Sequence, residues 1–451
     1  MQTPQHLILL PVALLDGVVV QSLETESHFT VLAAGAHLVV LQPQVGPATG
    51  VVVARSGRAV DDGVVLLPRP ACLTSYLRCG PVMKITDIKT CDARFGYVRV
   101  YTDEGLYGTG ELSHQGAGWR QIVDSMKGLL LGEDPRDVDM CFEKVRRAFI
   151  FRGGMSGHTI SALSGIEIAL WDLAGKAAGV PVYRLLGGKF RDRVRLYVDC
   201  ARGNYAETAQ RVREAGFTAM KFDLDDANRP EKMDRWNWTV HPAELEVIVA
   251  EAHEIREAVG PHMDLGIDLH GRYDVVAGQK IAIAVEQLDL MWLEEPVPPE
   301  NIDALAQVKA ASGTPICVGE NLYLRYGFRE LLEKQAADII MPDISKCGGL
   351  SECRKIANMA EIYYVPFAPH NNSGPLSTLA DAHTCASVPN FLALEYHRFR
   401  DEGMENILLK GEPLIEQGHV VLNDKPGLGA ELDEDYVRTM MPADDDGELW
   451  R

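Results

Sequence analysis

Hydrophobic and polar positions change their period along the chain. From Lys84, KITDIKTCDA and YVRVYTDEG alternate with a period of two, which predicts antiparallel strands, with Asp103-Glu104-Gly105 as turn chemistry. GLYGTGEL predicts a third short strand. The period then lengthens. In SALSGIEIALWDLAGKAAG the residues Leu163, Ile166, Leu170 and Leu173 recur at spacings of three and four, the mark of an amphipathic helix, and Gly179 with Pro181 ends it. Residues 83–190 therefore read as an α+β unit.

Beyond that unit, apolar strand-like runs take turns with helical ones. VRLYVDC (194–200) predicts a first strand and TAMKFD (218–223) a second, with a helical ETAQRVREAGF between them. Six further runs carry an acid or a histidine near their ends: Asp268 in LGIDLH, Glu294 in MWLEEP, Glu320 in ICVGEN, Asp343 in IIMPD, His370 in VPFAPH and Glu395 in FLALEY. The successive gaps are 26, 26, 23, 27 and 25 residues. Such a gap holds one strand, one helix and two loops, the repeat of a barrel whose active groups gather at the C-terminal strand ends. The predicted fold class is α/β, a (β/α)7-8 TIM-like barrel over residues 191–400 behind the α+β unit. After about residue 400 the period stops. The tail, 401–451, contains the turn-rich GHVVLNDKPGLGAELDE and is expected to return to the first unit. A polar insertion after Asp223, LDDANRPEKMDRWNWTVHP, either covers a substrate or packs its Trp236 and Trp238 on a neighbouring helix.

Residues 1–82 stand apart. They hold no lysine, four arginines and two aromatics, Phe29 and Tyr76. Alternation in GVVVARSGRAVDDGVVLL predicts short strands, but the composition favours a weakly packed extension. The apolar run Leu7–Leu15 carries Pro11 and no preceding basic residue, and it is too short to span a membrane. Met83 followed by KITDIKT reads as a domain start, and as the start of a shorter reading frame.

Composition narrows the class of partner. The net charge of −20 argues against a nucleic-acid backbone, which needs a basic surface. Nine scattered cysteines without a CxxC pair are neither a disulfide framework nor a zinc site, and favour a reducing cytoplasm.

Three carboxylates in register, Asp268, Glu294 and Glu320, point to a divalent cation with hard oxygen ligands, for which Mg²⁺ is suited. One such acid would only cap the next helix. Glu294 and Glu295 are adjacent and face opposite sides of a strand, so Glu294 is expected at the metal. Asp343 and His370 end adjacent strands, and an aspartate bonded to one imidazole nitrogen raises the basicity of the other. His270, two residues from Asp268, shares its face as a proton donor, a fourth ligand or a structural histidine. Lys221 is a base, a carboxylate clamp or the ion-pair partner of Asp223. Glu395 is either a hydrogen-bond donor whose pKa burial has raised or an ion-pair partner of His397 or Arg398. A metal, a His–Asp base and a second imidazole suit abstraction of a proton next to a carboxylate. Return of the proton epimerises; loss of a β-hydroxyl dehydrates.

From about Met83 onward the chain resembles the enolase superfamily, mandelate racemase subgroup. The resemblance rests on SALSGIEIALWDLAGKAAGVPVYRLLGG, GIDLHGR, WLEEPV, VGEN, MPDISKCGGLSECRKIANMAE, APHNNSGP and KPGLGAELDE. It is most similar to acid-sugar dehydratases of the galactonate type. The resemblance implies a capping domain completed by the tail, Asp268, Glu294 and Glu320 as Mg²⁺ ligands, His370 as base oriented by Asp343, and His270 as general acid. Glu395 matches the family's strand-eight glutamate. It further implies a small acid-sugar substrate and a symmetric homo-oligomer. The chain departs from the type at Lys221-Phe222-Asp223, where Lys-x-Asn is usual, so galactonate itself is not implied.

Overall fold

The computed structural model describes residues 83–113, 118–397, 399, 414–442 and 450, together with the backbone of six strands between residues 8 and 55. Those six are β1 (Ile8–Leu9), β2 (Ala13–Leu15), β3 (Val18–Glu24), β4 (Thr30–Ala34), β5 (His37–Leu41) and β6 (Val51–Arg55). They form an antiparallel sheet of order β1-β3-β4-β5-β6, with β2 also on β3. Within the alternating run that predicted strands, Val51–Arg55 is β6, and the remainder lies outside the described residues. Residues 1–82 and 83–451 are separate compact units.

The second unit opens with the meander that the period-two segments predict: β7 (Ile85–Asp92), β8 (Gly96–Thr102) and β9 (Tyr107–Leu112). Helices α1 (Trp119–Leu130), α2 (Val138–Ala148) and α3 (Gly157–Ala178) pack beside it and share one apolar core. The backbone of α3 approaches β9 closely, because a Cβ at Gly110 would stand 2.1 Å from the Gly165 carbonyl oxygen. Gly179 ends α3 in the left-handed conformation (φ 68°), as the sequence predicts, and α4 (Val182–Leu185) follows.

The barrel is built from β10 (Arg193–Cys200), β11 (Ala219–Asp223), β12 (Asp264–Asp268), β13 (Trp292–Glu294), β14 (Ile316–Val318), β15 (Ile339–Ile340) and β16 (Leu394–Tyr396), all parallel. β16 returns to pair with β10. The seventh position, VPFAPH, is not a continuous strand. Phe367 bridges Ile340 on one side and Phe391 on the other, and His370 bridges Asp343. Pro366 and Pro369 lack the N–H donors a ladder requires, so the segment joins the ring through single bridges. Helices α5 (Tyr205–Glu214), α6 (Pro242–Val259), α7 (Val275–Val285), α8 (Ile302–Ala311), α9 (Leu324–Glu333), α10 (Ile344–Cys347), α11 (Gly349–Ile362) and α12 (Pro375–Ala386) run between the strands. A small inner cluster, including Tyr197, Trp292, Cys317 and Met341, fills the barrel.

The tail returns as expected. β17 (Ile415–Glu416) and β18 (His419–Val421) form a hairpin whose second strand pairs antiparallel with the start of β10. Gly427 then exchanges backbone hydrogen bonds with Val180 and Val182 beyond α3. Glu434, in α13 (Glu434–Thr439), pairs at 2.8 Å with Arg99 of β8, whose guanidinium also lies 3.8 Å from the Trp450 ring centre.

Two buried carboxylates fasten the α+β unit to the barrel. Glu167 of α3 accepts from the N–H groups of Leu350 and Ser351 in the first turn of α11 at 2.8 and 2.9 Å. Glu111 of β9 accepts from Gly374 and Ser377 at the start of α12. Each satisfies N–H groups that a helix leaves without an internal partner. Among the described residues no helix is long and apolar enough to cross a membrane.

Candidate active site

Asp268, Glu294 and Glu395 lie at or near the C-terminal ends of their parallel strands, and Glu320, Asp343 and His370 follow theirs closely. All six converge on one rim of the barrel. At its centre is Lys221 of β11, which is almost fully buried. Its ammonium is 2.7 Å from Glu395, 2.8 Å from Glu294 and 3.2 Å from Asp268. Burial pulls the Lys221 pKa down, but these carboxylates outweigh it and hold it well above the usual lysine value. Asp223 is not among its ion-pair partners, so the expected Lys221–Asp223 pair is replaced by one across three other strands. Lys221 and Asp223 share a face of β11, but the Lys221 ammonium lies among the acids of strands three, four and eight, while Asp223 stands further along the strand beside Asp199 and Asp268.

The three expected ligands are not drawn into one tight group. Asp268 and Glu294 are register partners on β12 and β13 and share Lys221. Glu320 instead meets the His370 Nε2 at 2.8 Å. Like charges repel, and each acid has taken the nearest cationic side chain. Ligand atoms of Asp223, Asp268 and His270 lie within 4.8 Å of one another, as do those of His370, Glu395 and His397. The donor set nevertheless fits a hard divalent cation. Its atoms are buried carboxylate oxygens, and burial, then the Asp268 charge, pushes Glu294 well above the usual carboxylate range. Among the described residues the buried Glu295 Oε2 has no hydrogen-bond partner. Asp268, Glu294 and Glu320 are the residues that could hold the ion.

Glu295 departs from simple alternation. Its backbone is left-handed (φ 38°), which ends the strand pattern, and its side chain is fully buried rather than on the outer face. Its Oε1 accepts from the Gly319 N–H at 3.0 Å. Burial, followed by Glu320, pushes its pKa up to about 8.

The histidines take distinct settings. His370 Nδ1 is 2.8 Å from Asp343 Oδ2, and Nε2 faces Glu320 and, at 3.5 Å, Glu395. Burial lowers its pKa, but Glu395, Glu320 and Asp343 reverse the balance and hold it well above the ordinary histidine value. His270, with φ 48° just beyond β12, sets Nε2 3.6 Å from Asp268 and Nδ1 2.6 Å from Asp225. Burial again lowers and the Asp225 hydrogen bond with the Asp268 charge raises, leaving its pKa at about 10. Asp225 was not singled out by the sequence. It sits in the polar insertion, where no periodicity marks it, and only the pair Asp225-Asp226 after β11 hinted at chemistry.

Glu395 differs from one expectation and meets another. Burial does raise its pKa, but Lys221, His370 and His397 outweigh it and hold it well below the usual range. It is therefore an acceptor here, taking hydrogen bonds from the Asn371 N–H at 3.0 Å and from His397, whose Nε2 is 3.1 Å away. Arg398 lies outside the described residues. Asp223 faces Asp199 and Asp268, and burial followed by these charges pushes it up to about 7.

A parallel barrel with acids and histidines on its C-terminal rim, fastened to an α+β unit, defines an enzyme of the enolase type. Residues 204–436 match the family described as enolase C-terminal domain-like, and residues 78–187 match the mandelate racemase / muconate lactonizing enzyme N-terminal domain. The chain belongs to the mandelate racemase / muconate lactonizing enzyme family. It is 44% identical over 369 residues to a D-xylonate dehydratase of Haloferax volcanii, covering 79% of this chain and 89% of that protein. It is 33% identical over 384 residues to a D-galactonate dehydratase of Variovorax paradoxus, covering 82% and 98%. Among solved structures, a mandelate racemase/muconate lactonizing enzyme-like protein from Rubrobacter xylanophilus matches with a TM-score of 0.77 and 46% identity, over 80% of this chain and 98% of that one.

Proposed function

We propose that this chain is a hydro-lyase that removes water from an acid sugar and yields a 2-keto-3-deoxy acid. The observation that carries the reading is the His370–Asp343 pair standing across one acid-lined rim from His270. The dehydratase names of the relatives support it.

Asp268, Glu294 and Glu320 are the proposed holders of Mg²⁺. When bound, that ion supplies positive charge against the substrate carboxylate as it gains negative charge. His370 is the proposed base. To act as base it must donate Nδ1–H to Asp343 and hold Nε2 unprotonated, so that the Nε2 lone pair takes the proton from the carbon next to the carboxylate. Glu320 and Glu395 hold that Nε2 protonated in the present arrangement; were Glu320 a ligand of the ion, its carboxylate charge would be neutralised and the proton on Nε2 would be held less tightly. His270 is the proposed acid. Asp225 keeps it protonated at neutral pH, so it can deliver a proton to the departing β-hydroxyl. Lys221 stays an ammonium and adds positive charge, and Glu395 fixes its position. That charge state disfavours the rival reading of a 2-hydroxy-acid racemase with Lys221 as second base. We also infer a cytoplasmic homo-oligomer, on the cysteine pattern and the family resemblance of the sequence.

Incubation with Mg²⁺ and xylonate or galactonate in deuterated buffer tests the reading. The expected result is 2-keto-3-deoxy product. Exchange of the α-proton without β-elimination favours the racemase, and no exchange with any acid sugar overturns the assignment in favour of a catalytically silent sugar-acid binding protein.

A further inference from the structure

The insertion between β11 and α6 lines, with the end of β12, an open cavity of about 500 Å³. Its wall includes Lys232, Arg235, Trp236 and Trp238 from the insertion, and His270 and Arg272 from the strand end. Three of the cationic groups are already engaged. Lys232 pairs with Glu244 at 3.3 Å, and Arg272 and His270 both pair with Asp225. Arg235 makes no ion pair or side-chain hydrogen bond among the described residues; its guanidinium only lies 5.0 Å from the Trp236 ring centre. Trp236 and Trp238 are 78% and 55% exposed. Two large indoles left in water beside an unpaired guanidinium, in a concave wall, are costly for surface and suited to a ligand with both C–H faces and oxygens.

We propose that this cavity is the subsite for the far end of the substrate, a polyhydroxylated carbon chain beyond the β-carbon. The inference rests on the dehydratase reading and extends it. His270 supplies the connection. The imidazole proposed to protonate the β-hydroxyl is also part of the cavity wall, so the chain beyond that carbon has the cavity next to it. Trp236 and Trp238 present ring faces to the C–H bonds of the chain, and Arg235 donates to its terminal oxygens. The sequence alternatives for this insertion were substrate cover or packing on a helix; the exposure of both rings favours the first.

The test is a fluorescence titration of the Mg²⁺-loaded full chain carrying His370→Asn, which does not consume the ligand, with xylonate and with glycerate, which has the same acid end but no chain beyond the third carbon. Trp236→Ala and Arg235→Ala are each expected to weaken xylonate binding about tenfold and glycerate binding less than twofold, while Trp236→Phe restores most of the loss. Equal weakening of both ligands, or no weakening of xylonate, overturns the subsite. So does a change in oligomer mass without a change in xylonate affinity, which makes Trp236 a subunit contact. Because binding is read without turnover, a selective loss of xylonate binding supports the subsite even if no dehydration is detected, and that outcome separates it from the functional reading. Should Trp236→Ala fail to fold, Arg235→Ala carries the same comparison.

Discussion

His370 and Asp343 are joined twice: their backbones form a parallel bridge, and their side chains meet at 2.8 Å between Nδ1 and Oδ2. The bridge fixes the separation of the two Cα atoms, so the side-chain bond needs little further ordering. The aspartate carboxylate is in turn anchored by the Ser345 N–H at 2.8 Å. His370→Asn should lower kcat about a thousandfold or more, the scale of a lost general base. Asp343→Asn should lower kcat with a smaller effect on KM, because it disturbs the tautomer and not the rim. Steady-state kinetics on xylonate and α-proton exchange measure both; full activity in His370→Asn rules out its role as base.

His270 depends on Asp225. The raised pKa of about 10 keeps His270 protonated below that pH and loses the proton above it. Asp225→Asn removes a carboxylate charge at 2.6 Å, so the alkaline limb of dehydration should move to lower pH. His270→Asn should stop dehydration while α-proton exchange continues. Loss of both reactions would assign His270 to binding instead.

Glu167 joins two domains through one side chain. It is fully buried and accepts two backbone N–H bonds of α11 and one from Trp171 at 2.8 Å. Glu167→Ala leaves the Leu350 and Ser351 N–H groups without their acceptor and should cost about 2–4 kcal/mol, measurable by urea unfolding. Glu167→Gln keeps the acceptor oxygen and should recover part of the loss. Equal stability of all three proteins would show that the junction is held elsewhere.

His383 is a buried neutral histidine. Its Nδ1 accepts from the Tyr183 N–H at 3.1 Å, and Nε2 faces the Leu428 carbonyl at 3.0 Å. Burial pulls its pKa down to about 4. The unfolded chain, with an ordinary histidine near 6.5, binds the proton first as pH falls. Stability therefore decreases between about pH 6.5 and 4, by up to ~3 kcal/mol. His383→Gln cannot titrate and should flatten that limb in unfolding measured at several pH values.

Deletion of residues 1–82 should leave dehydration intact. The family match begins at residue 78, and the site lies wholly in the unit that starts at Met83. A folded but inactive truncation would give the first unit a part in catalysis.

The sequence by itself determined much of the succession of elements and the places of the candidate site residues along it. Alternation marked β7, β8 and β9, a three-and-four spacing marked α3, and a near-constant gap put Asp268, Glu294, Glu320, Asp343, His370 and Glu395 close to the ends of successive strand positions. Those signals survive because they are local: a period or a spacing is set by backbone geometry wherever it occurs. Charge partners are not local. Tertiary structure alone decided that Lys221 turns to Glu294 and Glu395 rather than to Asp223, and that Asp225 holds His270. It also decided that the Glu395 carboxyl is held low rather than high. Each outcome depends on which opposite charge is a few ångströms away across the barrel, and Coulomb energy in a buried site falls with distance in space, with no regard to distance along the chain.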